Sequence, residues 1–222
     1  MAYDTLAEVY DFLVPEALLS PEGSAAAFEP LLEPGARVLD CACGTGTLAA
    51  GLALHGFEVS ASDASPEMVS RARELGVQAE VRRWEELEGG PYDAVLCVGN
   101  SLTHAEDRRK ALTGMRGVAR DGALLAVTSR NWERPQPAGE EIVERGGRRA
   151  TVRRAWVPGA LEIEVILDDE VYAERLAYWP FTHEELDADL RAAGWEPASS
   201  TWAPDADRYL VTSRANSSNA SR

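Results

Sequence analysis

The run V-L-D-C-A-C-G-T-G-T-L, Val38 to Leu48, constrains this chain more than any other stretch. A short apolar segment ends in Asp40. Two glycines, Gly44 and Gly46, then precede a segment of helical composition, T-L-A-A-G-L-A-L-H. Glycine has no Cβ, so a turn built on it can close tightly and let a ligand lie against bare backbone. A buried strand that passes into a helix through such a turn opens a parallel α/β sheet, whose ligands sit at the carboxyl ends of its strands.

The rest of the first 130 residues repeats the alternation. F-E-V-S-A-S-D reads as a second strand, V-Q-A-E-V-R as a third, Y-D-A-V-L-C-V as a fourth and A-L-L-A-V-T-S as a fifth. Between them, S-P-E-M-V-S-R-A-R-E-L-G is predicted to be a helix with Ser65 as N-cap, Pro66 in its first turn and Gly76 past its end. A-E-D-R-R-K-A-L-T-G-M-R-G-V-A-R is also predicted helical. The fold class is therefore α/β, with a doubly wound, mostly parallel sheet.

The pattern changes after the fifth strand. V-R-R-A-W-V, L-E-I-E-V-I-L and Y-A-E-R-L-A-Y-W alternate like antiparallel strands, with turns at Gly146-Gly147 and Pro158-Gly159. Thr182 to Glu185 reads as a capping box opening a helix that Gly194 closes, and two terminal runs read as a hairpin-like pair. One domain is expected over 1–214. It has a helical N-terminal arm over 1–33, where Y-D-T-L-A-E-V-Y-D-F-L suggests an amphipathic helix, and an antiparallel β insert or lid over 133–180. A disordered tail is expected over 215–222.

Charge and composition exclude several classes. A formal charge of −15 opposes a phosphate-backbone partner, because nucleic-acid binding needs Lys and Arg to displace counterions. The basic runs Arg82-Arg83, Arg108-Arg109-Lys110 and Arg148-Arg149, diluted by neighbouring acids, read as solvated faces. No apolar run approaches the ~20 residues of a membrane helix, and the N-terminus is acidic where a signal peptide is basic, so a cytoplasmic chain without membrane partners is expected. Cys41, Cys43 and Cys97 lie in apolar runs and read as reduced core thiols; no metal site is expected.

The turn also limits the ligand. A dinucleotide site wants G-x-G-x-x-G, but Ala42 stands where the first glycine would be. The Asp40 carboxylate would repel a pyrophosphate and attract an ammonium group. This disfavours a nicotinamide-dependent oxidoreductase and favours a nucleoside with a cationic, amino-acid-like tail. Asp63, ending the second strand, is placed to accept bonds from ribose hydroxyls, or simply to neighbour the Ser65 cap.

Through V-L-D-C-A-C-G-T-G, V-S-A-S-D-A-S-P-E-M, Y-D-A-V-L-C-V and R-D-G-A-L-L-A-V, the segment from about residue 30 to 130 resembles the class I S-adenosylmethionine-dependent methyltransferases. The resemblance implies a seven-stranded, Rossmann-like methyltransferase fold with S-adenosylmethionine as cofactor. It places the methionine part at Gly44 and Gly46 beside Asp40 and Ala42, the ribose at Asp63, and adenine near Trp84 and Glu85. Ala64, Met68, Val98 and, from the arm, Tyr10 complete the implied cofactor contacts.

C-V-G-N-S-L-T-H, Cys97 to His104, S-R-N-W, Ser129 to Trp132, R-R-W-E-E-L and R-L-A-Y-W-P-F-T-H-E-E-L look like the glycine/sarcosine N-methyltransferases. That resemblance implies a small-molecule amine acceptor bound by Asn100 and Arg130, with His104 and Tyr178 near the same pocket. A planar guanidinium suits a carboxylate because it makes two parallel charge-assisted bonds. The chain departs from that family in a shorter N-terminal arm and β insert: Tyr3 and Tyr10 are available for the tyrosines that family keeps in its arm, but Leu13 stands where one of them is expected. The plainer readings are a strand-end arginine, a turn asparagine, a capping histidine and core aromatics. The alternative acceptors are an oxygen, a thiol or an amino-sugar nitrogen.

Overall fold

The computed structural model describes residues 3–217. Its central sheet is built on β1 (Arg37–Asp40), β2 (Glu58–Asp63), β3 (Ala79–Val81), β4 (Tyr92–Cys97) and β5 (Ala119–Arg130). These five run parallel. An insert of β6 (Gly139–Arg145), β7 (Arg148–Val157), β8 (Ala160–Leu167) and β9 (Glu170–Ala177) follows. β10 (Trp195–Ser200) and β11 (Arg208–Ala215) complete the sheet in the order β10-β11-β5-β4-β1-β2-β3, with β11 antiparallel to both of its neighbours. The chain runs outward from β1 to β3 and then crosses back to β4, so the order reverses between β1 and β4. A crevice opens at their carboxyl ends.

Helices cover both faces. α1 (Pro21–Ala25), α2 (Thr47–Leu54) and α3 (Pro66–Glu74) lie on one side; α4 (Arg108–Gly117) and α5 (His183–Ala192) lie on the other. The two-residue period of a strand sorts the core. Val38, Leu96 and Ala126 pack with Leu48 and Leu52 of α2, while Leu39, Val95 and Leu125 pack with Leu112 of α4 and Leu186 of α5. Both faces being buried explains why the strand runs are almost continuously apolar. Among the described residues no helix is long and apolar enough to cross a membrane, and Cys41, Cys43 and Cys97 are buried free thiols.

The caps follow the sequence. The Ser65 hydroxyl accepts from the Met68 amide, and Thr182 with Glu185 forms the capping box of α5. In the basic run Arg108-Arg109-Lys110, Arg108 departs from the solvated face expected of it, its side chain being 17% exposed, whereas that of Arg109 is 64% exposed. Both guanidiniums hold buried Asp189 of α5, at 2.9 and 2.6 Å, and Arg108 lies 4.7 Å from the Phe181 ring centroid. A carboxylate buried by helix packing draws in nearby cations, because an unpaired buried charge is costly.

The arm also departs from expectation. Instead of an amphipathic α-helix it holds a 3-10 turn at Ala7–Phe12, short turns at Glu16–Leu18 and Glu29–Leu31, and the one-turn α1. Pro15, Pro21 and Pro30 disfavour helical backbone in the residue before each, which keeps the segments short. Leu6, Val9 and Phe12 are nevertheless buried, packed against Val152, Ile163 and Val165 of the insert. The insert has four strands in the order β6-β7-β8-β9, one more than the three runs quoted for it. A further hairpin turn stands at Asp168-Asp169, both left-handed, φ 52° and 67°. Two-residue hairpin turns require that conformation, and Asp tolerates it when Gly is absent. Residues 215 and 216 depart from the disordered tail expected over 215–222: Ala215 is a buried strand residue, and the Asn216 amide donates to the Gly194 carbonyl. Residues 218–222 of that expectation lie outside the described residues.

Candidate functional site

A cavity of about 470 Å³ occupies the crevice. Its floor is the turn after β1 and the ends of β4 and β5, and the arm and the insert close over it. Among the expected residues, Tyr10, Asp40, Ala42, Gly44 and Val98 line it, as do Asn100, Arg130 and Tyr178.

The two glycines of the turn face different ways. A Cβ on Gly44 (φ 53°) would point toward the Tyr10 ring, 3.9 Å away, where both border the cavity. A Cβ on Gly46 (φ 84°) would instead meet the Ala72 Cβ of α3 at 2.8 Å and Val77 at 3.2 Å. The expectation that both keep ligand space clear is thus corrected for Gly46, whose missing side chain lets α2 approach α3. Asp63 fixes the turn from the next strand: its carboxylate accepts from the Gly44 amide and the Ser65 amide, each at 2.9 Å. Ala64 follows it, and Met68 is buried in the first turn of α3.

Asp40 is fully buried, and neither carboxylate oxygen has a side-chain partner among the described residues, although the nearby Ala42 amide favours the ionised form. Burial first, and the nearby Asp63 second, push its carboxyl up to about 7. A buried carboxylate without partners is costly unless a cation or donor meets it. This orphaned acid, beside a glycine turn on a cavity, fits the cationic methionine end of S-adenosylmethionine.

Trp84 and Glu85 stand in a 3-10 turn after β3 and do not line the cavity. The Trp84 indole donates to the Cys41 carbonyl at 2.8 Å, and its ring packs against the α4-side core. It thereby braces the strand end that carries Asp40.

At the other end of the cavity, Asn100 is left-handed (φ 72°), a conformation in which Asn is enriched, and its side chain is buried. Its Oδ1 accepts from the Arg130 amide at 2.9 Å, and its Nδ2 donates to Thr103 Oγ1 at 3.1 Å. Asn100 therefore ties the end of β4 to the end of β5 and sets where Arg130 leaves the sheet. The Arg130 guanidinium has no hydrogen bond or ion pair with a described residue; burial first, then Arg208, push its pKa down. Tyr178 is buried, its hydroxyl 3.3 Å from that of Tyr3. Its ring centroid lies 5.3 Å from that of Trp156 and 4.5 Å from that of His104.

His104 does not line the cavity. Its Nδ1 lies 2.9 Å from the Ala177 carbonyl, which can only accept, so Nδ1 carries the proton and Nε2 is bare in the neutral ring. Burial pushes its pKa down, which favours the neutral form.

Three contributors are absent from the motifs. Arg154 of β7 and Arg208 of β11 line the same cavity. Glu174 of β9 accepts from the backbone amides of Tyr3, Thr5 and Leu6 at 2.6, 3.0 and 3.3 Å and so pins the arm to the insert. Only tertiary pairing brings these together; no local pattern marks them.

Residues 38–122 match the family described as "Methyltransferase domain". A glycine/sarcosine N-methyltransferase of Parasynechococcus marenigrum (strain WH8102) is 38% identical over 125 residues, covering 50% of this chain and 44% of that protein. A glycine N-methyltransferase of Oryctolagus cuniculus is 34% identical over 122 residues, covering 44% and 41%. The matches thus span less than half the length of these relatives. Among solved structures, an S-adenosylmethionine-dependent methyltransferase from Clostridium acetobutylicum aligns over 98% of this chain and 100% of its own, with TM-score 0.76 and 16% identity. An S-adenosylmethionine-bound amino pentose methyltransferase from Micromonospora echinaspora covers 97% and 98%, with TM-score 0.75 and 22% identity.

Proposed function

We propose that this chain, which carries a methyltransferase domain and the fold of the S-adenosylmethionine-dependent methyltransferases, transfers a methyl group from S-adenosylmethionine to the nitrogen of a small amine. Glycine, sarcosine or a similar amino acid is the acceptor that the site favours. One observation carries this reading: groups of opposite charge face one cavity, each without a side-chain partner among the described residues. The buried Asp40 carboxylate stands at the glycine turn, and the Arg130 guanidinium stands two strands away. At the usual strand spacing that is roughly 10 Å.

S-adenosylmethionine supplies, when bound, a methyl carbon already activated by its sulfonium, so the chain's task is placement and exclusion of water. Asp40 would meet the cationic amino-acid end, while Gly44 leaves the turn bare for it. Arg130 would hold the acceptor carboxylate through its planar fork. Asn100 serves as a positioning residue, since its Oδ1 fixes the Arg130 backbone; the second lone pair of that oxygen can still accept from the acceptor amine. Tyr3, Tyr10, Tyr178 and Trp156 supply aromatic walls, which suit a methylated ammonium product through cation–π attraction. The amine must attack as the neutral form. His104 stands behind the rings of Tyr3 and Tyr178 rather than on the cavity, so the amine's proton passes to water.

Calorimetry with S-adenosylhomocysteine against NADH tests the cofactor, and Arg130→Leu tests the acceptor. The variant should keep its S-adenosylhomocysteine affinity and lose ~2–5 kcal/mol in kcat/KM for an amino-acid acceptor, as for truncation of one partner of a buried charge pair. Arg130→Lys should recover little, since an ammonium lacks the fork. A carboxylate-free amine should be nearly indifferent to both changes; if such an amine is turned over faster than every amino acid tested, and Arg130→Leu turns it over normally, the amino-acid acceptor is removed and a neutral one, such as an amino-sugar nitrogen, is favoured.

A further inference from the structure

Arg130 is not the only cation on its side of the cavity. In the antiparallel pair of β5 and β11, Arg208 stands directly opposite Arg130. Directly opposed residues project from the same face, and like charges so placed destabilise a sheet. No carboxylate relieves this pair: neither guanidinium makes an ion pair or hydrogen bond with a described residue. Arg154 reaches the same cavity from β7, held on one side by Glu141 of β6. The acids lining the cavity are Asp11 and Asp40, and neither bonds any of the three arginines. A chain of formal charge −15 thus concentrates three guanidiniums around one opening.

We infer that the acceptor carries a second anionic group, carboxylate or phosphoryl, received by Arg208 and Arg154 while Arg130 holds the first. This rests on the methyltransferase reading and deepens it. One carboxylate can occupy one guanidinium fork, and it leaves the opposed arginine uncompensated. A second anion placed between β11 and β7 would neutralise it and close the insert onto the sheet. Arg208 is exposed and enters from solvent, so its group would be the outer end of the acceptor. Arg154, whose side chain is 18% exposed, would close over that group from the insert.

The test uses the full chain with glycine, L-aspartate and O-phospho-L-serine as probes, titrated by calorimetry with and without S-adenosylhomocysteine and assayed for turnover with S-adenosylmethionine. Aspartate, phosphoserine or both should bind about tenfold or more tightly than glycine. A preference for one of them identifies its carboxylate or phosphoryl group as the second anion. Arg208→Gln should abolish that advantage and change glycine binding much less. Arg148→Gln, which removes an equal charge from an exposed pair with Asp168, should change neither. If both two-anion probes bind no better than glycine to the wild-type chain, or if Arg208→Gln weakens all three alike, the inference is overturned while methyl transfer stands. If S-adenosylhomocysteine fails to bind yet the advantage persists and depends on Arg208, the anion site stands and the methyltransferase reading falls.

Discussion

Single atoms decide the cofactor end of the site. Gly44 and Gly46 lie two residues apart and do different work. Gly44→Ala should cost only about 1–2 kcal/mol in stability, since its φ of 53° is left-handed but its neighbour stands at ordinary contact distance. It should weaken cofactor binding at least tenfold, because the methyl group enters the cavity. Gly46→Ala should lower the melting temperature more, since its Cβ collides with Ala72. Equal effects of the two on binding and melting would contradict this division. Asp40 sets a pH signature. Its carboxyl titrates at about 7 when folded against 3.8 when free. Between those values the unfolded chain has released a proton that the folded chain retains. Stability should therefore fall as pH rises from about 4 to 7, by up to about 4 kcal/mol, and level off above. Asp40→Asn should flatten that slope, and chemical denaturation across the range measures it. A bound cation favours the ionised form, so cofactor binding near pH 7 should release a proton, detectable by calorimetry in buffers of different ionisation enthalpy.

At the level of elements, the roof depends on one carboxylate. Glu174 of β9 accepts from three backbone amides of the arm, and Leu6, Val9 and Phe12 add an apolar seam against the insert. Glu174→Ala should leave the seven-stranded sheet folded but speed hydrogen exchange at residues 3–6. It should also weaken cofactor binding by about 1–3 kcal/mol through loss of the Tyr10 wall. Unchanged exchange there would mean that the apolar seam alone holds the arm. The strands of the main sheet, the α3 and α5 caps and the turn after β1 were legible in the sequence, because each is written in contiguous residues: a strand, a cap, a glycine. Asn100 and Arg130 were legible as strand-end residues within motifs. Glu174, Arg154 and Arg208 were not. Their places depend on the register of β11 against β5 and on how the insert docks, and neither is encoded locally. The arm was misread because apolar spacing suggested an α-helix that three prolines cut short.

Across the whole molecule, charge is sorted along the sheet edge. The strand order sets an unpartnered acid at the end of β1 and arginines at the ends of β5 and β11, two and three strands away. A cationic methyl donor and an anionic amine acceptor would be drawn to opposite ends of one cavity, with their reacting atoms meeting near the end of β4. The chain's negative total makes that local basic end a specific feature rather than a general affinity for anions. The most direct test of this account follows the methyl group itself. The full chain is incubated with S-adenosylmethionine carrying a ¹³C-labelled methyl and a panel of amino acids and other small amines, and proton–carbon correlation spectra are recorded over time. The account predicts a new N-methyl resonance from a carboxylate-bearing amine, growing in step with S-adenosylhomocysteine and lost in Arg130→Leu. A label that appears on oxygen or sulfur, or that stays on the sulfonium with every amine while the folded chain binds S-adenosylhomocysteine, would contradict it.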